Sequence, residues 1–388
     1  MAESNVDRTT FRKRIFAHKA KTASAVIVTV VVVLILAIIT YTSYVTRLYE
    51  KYKITGEVSR TNVSSSRVLG YGTQFITYSA DGIHCTDAKG NDVWSFPYEM
   101  QTPMVEISGS YVACADFNGR NVYIFNDKGQ VGTIQMNVPI KRICVSGTGV
   151  VAIITDENTV TPISLYYYDG TLIASFRTSM AKFGYPVAIS ISDDSKLVGV
   201  SYLYLDSGTL MSRVAFYNFG DVGRNETDNL VSGFDYQGEV IPEIHFLSDH
   251  TAYALANDRL IFYEGKERPV SKSETLIHDE VHAVFYGDNR VGLVFINPTG
   301  ETKYKMDVYT GSGKLENTFF FDVEYSDIFF ANNRTVIYNA ASALIYDSDG
   351  RVKFNGNFVD SVSLVIPTNS TNKYVLITPK SIQTIVLE

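Results

Sequence analysis

The chain has 388 residues, room for one large domain or two ordinary ones, and its 45% apolar and 19% charged residues exclude a largely disordered protein. The formal net charge is −7, and the charged residues among the first 46 are mostly basic (Arg8, Arg12, Lys13, Arg14, Lys19 and Lys21), so the remainder is more acidic still. That excess of acid excludes nucleic acid as a partner, because phosphates need neutralising cations.

In chain order, the first element is a helix. Between Lys21 and Arg47 lie 25 residues without a charge, TASAVIVTVVVVLILAIITYTSYVT. As a helix they extend about 37 Å, more than the ~30 Å hydrocarbon thickness of a bilayer. The β-branched run at 26–33 does not argue against a helix, since lipid leaves the backbone no other way to satisfy its hydrogen bonds. A cleaved signal peptide is the competing reading, but the apolar region exceeds the usual ~7–15 residues and no small-x-small site closes it. Residues 1–22 therefore read as a basic cytoplasmic tail and 23–46 as an uncleaved transmembrane helix that engages the lipid bilayer. The basic residues before the span outnumber Arg47, Lys51 and Lys53 after it, which favours an N-terminus inside. The expected location is the plasma membrane, single-pass, with the C-terminal domain extracellular. Tyr41, Tyr44 and Tyr49 fall near the outer interface, where tyrosine partitions.

Beyond the helix the composition turns to Tyr, Phe, Val, Ile and Thr, residues that suit pleated, half-buried surfaces. Residues 121–137, NVYIFNDKGQVGTIQMN, form an aromatic run, an Asn-Asp-Lys-Gly turn and a second alternating run. The same arrangement recurs at 83–96, 164–176, 307–320 and 344–358. Gly supplies the positive φ of the turn, and Asp or Asn folds back on its own backbone. A further strand pair precedes each, giving four-stranded units that start near 66, 103, 139, 186, 242, 281, 323 and 361. A four-stranded unit repeating every ~40–50 residues predicts an all-β chain folded as a β-propeller, with eight blades and seven as the fallback. The last unit has room for three strands only. Residues 47–65 then read as a linker plus a ring-closing strand at 54–63, and 66–388 as the propeller.

Candidate chemistry is sparse. His278-Asp279-Glu280-Val281-His282 lacks the Glu that must follow the first His of the helical zinc motif. Extended, the two histidines stand ~13 Å apart, so the segment reads as a blade connection. DSDG at 347–350 and SDDS at 192–195 read as β-turns rather than calcium loops. Cys85, Cys114 and Cys144 match no metal spacing and read as small buried hydrophobes, although Cys114 and Cys144 fall on neighbouring strands and permit one bridge. TDAKGNDVW at 86–94 is similar to the repeat of quinone-cofactor propellers, but Trp94 is the only tryptophan, so the blade-to-blade docking of that class is not expected, nor is the cofactor. No G-x-S-x-G and no Gly-rich phosphate loop occurs, and no catalytic, cofactor or metal site is assigned. Asn62, Asn225, Asn333 and Asn369 sit in Asn-x-Ser/Thr sequences, which matter only in a glycosylating host.

Blade four, from 186 to 242, is longer than the rest. Its extra residues, SYLYLDSGTLMS and AFYNFGDVGRNETDNLVSGFDY, offer Tyr204, Asp206, Asn218, Arg224 and Asp228 as a candidate partner surface. With these residues, the N-terminal anchor and the repeated hairpins, the chain resembles a family of uncharacterised single-pass proteins of clostridial-type Gram-positive bacteria. That resemblance implies a propeller-like domain outside the membrane and brings no catalytic residue with it. The expected function is an envelope scaffold that binds a protein partner without catalysis. A module binding glycan or wall polymer through exposed tyrosines is the alternative, and a quinoprotein-like or hydrolytic enzyme a weaker one.

Overall fold

A computed structural model describes residues 3–60, 65–157, 160–179, 184–297 and 300–388, which divide into two compact units, 1–49 and 50–388. The first unit is one helix, α1 (Glu3–Val45). It begins well before the expected span, so most of the basic tail is helical too. Within it Val26–Ser43 has a mean hydropathy of 2.7 and no buried surface. The polar side chains here look after themselves: Thr40 Oγ1 donates to Leu36 O at 2.9 Å and Thr42 Oγ1 to Ile39 O at 3.0 Å.

The second unit is all β. Its strands form eight four-stranded antiparallel sheets, each built from strands consecutive in sequence except the last. The blades begin at Arg67, Pro103, Ile140, Tyr185, Glu243, Val281, Asp327 and Leu364, within a few residues of the repeat read from the sequence. The first strands of blades two to five lie side by side in order, as do those of blades six and seven, and that of blade eight (Leu364–Pro367) neighbours that of blade one (Arg67–Tyr71), so the ring closes. The fourth strand of blade eight is the chain's first, Tyr52–Ser59, paired antiparallel with Ser381–Leu387. This is the expected closing strand, shifted towards the N-terminus; the part predicted at 61–63, with Asn62, lies outside the described residues. Where other blades have a turn, the backbone N–H of Glu388 donates to Lys51 O at 2.8 Å.

Two local devices repeat around the ring. The turn between third and fourth strands is tied by its leading polar residue: Asp87 Oδ1 accepts from the N–H groups of Lys89 and Asn91, and Asp347 Oδ1 from those of Asp349 and Arg351. DSDG at 347–350 is therefore a turn capped by its own aspartate. In every blade the fourth strand carries one residue more than the stretch of third strand it faces: Val93, Val131, Ile173, Val231, Lys272, Glu316, Lys353 and, in blade eight, Thr55. Such a bulge bends its strand and increases its twist.

The core lies between blades. One cluster joins blades three and four through Ile163, Leu165, Val198 and Tyr202, and others join each of several further neighbouring pairs. Phenylalanines of the bulged strands dock on the aromatic that ends the third strand of the following blade. Phe96 meets Phe125, Phe176 meets Tyr217, Phe234 meets Tyr263 and Phe319 meets Tyr346, with ring centroids 5.4, 4.5, 5.2 and 4.3 Å apart. Trp94 adds a parallel stack on Phe125 at 4.8 Å. Docking between these blades thus falls to Phe and Tyr, not to a tryptophan repeated from blade to blade. The cysteines are free thiols. Cys114 packs between blades one and two, whereas Cys144 packs between blades three and four, so they face away from each other. His278, Asp279 and Glu280 occupy the connection between Val270–Leu276 and Val281–Gly287.

Candidate functional site

At the hub, the first strands of blades two to six enclose a cavity of about 940 Å³. It reaches from Pro186 and Pro242, where those strands begin, to Ser108 and Phe246, where they end. Ile189, Ala188 and Ile244 line it as buried apolar wall.

A polar group set interrupts that wall. Glu106 comes from blade two (Pro103–Ser108), Arg142 and Cys144 from blade three (Ile140–Val145), Glu243 and His245 from blade five (Glu243–Phe246), and Tyr286 from blade six (Val281–Gly287). His245 stacks on Tyr286 with ring centroids 4.0 Å apart and planes 24° from parallel. Its Nε2 is 3.7 Å from Glu243 Oε1, which also accepts from the Tyr253 hydroxyl.

Enclosure sets the charge states. Glu106 opens on the cavity yet has protein on most sides, so its open surface overstates its hydration. Burial pushes its carboxyl up to about 7, against the pull of Arg142. Burial, then the positive charge of Arg142, holds the His245 imidazole down to about 4. Near pH 7 that imidazole is neutral, so its approach to Glu243 is a polar contact and not an ion pair. Burial, reinforced by Glu106, pushes the Cys144 thiol up to about 12, far from a reactive thiolate at neutral pH. Sequence reading missed this set because its members lie on four blades, far apart in the chain. The only signal was a polar residue interrupting apolar first strands, as in PMVEIS, PIKRICV and PEIHF.

The five residues proposed from sequence are all on blade four, but they do not form one surface. Tyr204 and Asp206 sit near the tip of a long hairpin, Leu197–Asp206 and Thr209–Asn218, whose turn is Ser207-Gly208. Asn218, Arg224 and Asp228 lie at the opposite end of a ten-residue strand, roughly 23–30 Å away. Asn218 is a buried tie: its Nδ2 donates to Glu267 O of blade five at 2.9 Å, and its Oδ1 accepts from the Gly220 N–H at 2.7 Å. Arg224 and Asp228 are exposed on two short 3₁₀ turns, Gly223–Asn225 and Thr227–Asn229. The hairpin is braced just below its tip, where Arg213 Nε and Nη2 donate to the two Asp235 oxygens at 2.7 and 2.9 Å and the Tyr204 hydroxyl donates to Oδ1 at 3.0 Å. Beyond that brace Leu205 is 72% exposed.

No curated protein matches the chain. Among solved structures, BamB from Moraxella catarrhalis is similar over 87% of this chain and 100% of its own, with a TM-score of 0.52 and 10% identity. Kluyveromyces lactis Hsv2 is similar over 76% and 98%, with a TM-score of 0.48 and 11% identity. Identities this low speak of fold alone. The model of a family of unknown function, DUF5711, matches residues 45–387, the whole propeller, and the chain belongs to that family.

Proposed function

We propose that this chain is a membrane-anchored binding scaffold. Val26–Ser43 crosses the plasma membrane with the basic residues on the cytoplasmic side, and the propeller lies outside the cell, where it holds another envelope protein and catalyses no reaction. The observation that carries this reading is the blade-four hairpin. Its ten-residue strands exceed the five to seven residues typical of the other blades and present Leu205 on a braced tip. A ring that packs blade against blade is rigid, and function on rigid scaffolds lives in such projections. The exposed apolar surface of the helix and the basic residues before it support the anchor.

The test replaces 204–209 by an Asn-Gly turn joining Leu203 to Leu210, in the full-length protein extracted from its own membrane. The reading requires unchanged thermal stability and loss of the co-purifying protein; retention of that protein by the variant would sink it. Deletion of 221–231 is a poorer test, because it removes the start of the strand Leu230–Gln237 and the Arg268–Glu226 ion pair. A wall polymer is the second reading. Tyr167 and Tyr168, adjacent on the blade-three turn and 49% and 41% exposed, would supply its stacking platform. Selective loss of wall-polymer binding in a Tyr167→Ala, Tyr168→Ala double variant favours that reading.

A further inference from the structure

Arg142 and Glu106 stand on neighbouring first strands and both open into the hub cavity. Neither has an ion-pair or hydrogen-bond partner among the described residues, each other included. Several other arginines of the ring are engaged. Arg213, Arg259, Arg290 and Arg351 are ion-paired, and Arg334 donates to the Tyr374 hydroxyl. Both side chains are exposed to the cavity, which is open to solvent, so an arginine and a carboxyl on neighbouring rigid strands stand ready to engage one ligand from two sides.

We propose that the cavity binds a small zwitterion of the amino-acid or short-peptide class, with its carboxylate on Arg142 and its ammonium on Glu106. The apolar wall at Ala188, Ile189 and Ile244 and the His245–Tyr286 stack receive its side chain. A purely anionic ligand would bring a like charge to Glu106, and a purely cationic one would bring it to Arg142. A neutral sugar would leave both charges unanswered. The Arg142 fork matches a carboxylate in geometry as well as charge. About 940 Å³ is space for a few residues. This inference is independent of the scaffold reading, since it concerns the hub and not the hairpin.

The test is isothermal titration of the full chain in detergent with tri-alanine and alanyl-phenylalanine, each also as its N-acetyl and its C-terminal amide form. At least one free peptide is expected to bind, and either cap to weaken it by about tenfold or more, the loss of a charged hydrogen bond. Glu106→Gln should abolish the penalty of N-acetylation while that of amidation persists; Arg142→Met should do the reverse. Trp94 emission reports that each variant is folded, and if Arg142→Met is not, Arg142→Lys, which keeps the charge without the fork, should show a reduced penalty for amidation. Absence of saturable binding by either free peptide, or equal binding of free and capped forms, overturns the proposal.

Discussion

Val58 covers Gly90: its Cγ1 is 2.7 Å from the point where a β-carbon on that glycine would stand. Val58 belongs to the chain's first strand and Gly90 to the turn between the third and fourth strands of blade one. Trp94 lies over Gly129 of blade two more loosely, with its Cβ at an ordinary contact distance of 3.5 Å. The closing strand therefore docks blade eight on blade one by the contact that joins blades one and two. Gly90 is fixed twice over, by this cover and by its φ of +85°. Gly208, at φ +83° on the blade-four hairpin, has open space around it. Gly90→Ala is expected to cost about 1–3 kcal/mol or more, through clash added to backbone strain. Gly208→Ala should cost only about 1 kcal/mol. Equilibrium urea unfolding of the two variants checks the difference; equal losses would mean that the strand does not press on the turn.

Trp94 is the only tryptophan and stacks on Phe125 with planes 6° from parallel. Its emission therefore reports one blade-to-blade contact without labelling. Unfolding should shift it to the red in the same transition that far-UV circular dichroism follows. Phe125→Ala is expected to cost about 3–5 kcal/mol and to red-shift the native emission. An unchanged native spectrum would contradict the stack.

The hub carboxyl and imidazole impose opposite pH slopes. Glu106 titrates near 7 in the folded chain, against an ordinary value of 4.5. Between those values the folded state keeps a proton that the unfolded state has lost, so this group's contribution to stability falls as pH rises through that window. Glu106→Gln should be more stable than the parent at pH 8, with the gain vanishing below about pH 4.5. His245 titrates near 4 against 6.5, so the folded state binds fewer protons there and stability rises with pH across that window. His245→Gln should flatten this rise. Melting temperatures at pH 4.5, 6 and 8 check both signs, and a Glu106→Gln gain that is the same at every pH would contradict the enclosed carboxyl.

The architecture was legible because its signals are local. Apolar alternation, an Asp or Asn before a Gly turn, and regular spacing each act within one blade, so the blade starts were placed to within a few residues. The aromatic at the end of each third strand was visible as well, but its purpose was not, since its partner lies one blade upstream. Phe96, Phe176, Phe234 and Phe319 dock at equivalent places with interplanar angles from 29° to 65°, and no local sequence pattern marks such a contact. On blade four, composition grouped five residues that strand length then separates, leaving Asn218 as a tie to blade five and Tyr204 as part of a brace. The hub set was out of reach because Glu106, Arg142, His245 and Tyr286 share a cavity but no stretch of sequence.

A photo-crosslinking residue at position 205, in the intact protein in its own membrane, tests the scaffold reading most directly. Position 272, exposed on the outer strand of blade five, is the control. The expected result is a discrete adduct with another protein from position 205 and none from position 272. No adduct at 205, or the same bands from both positions, would contradict a partner held by the hairpin.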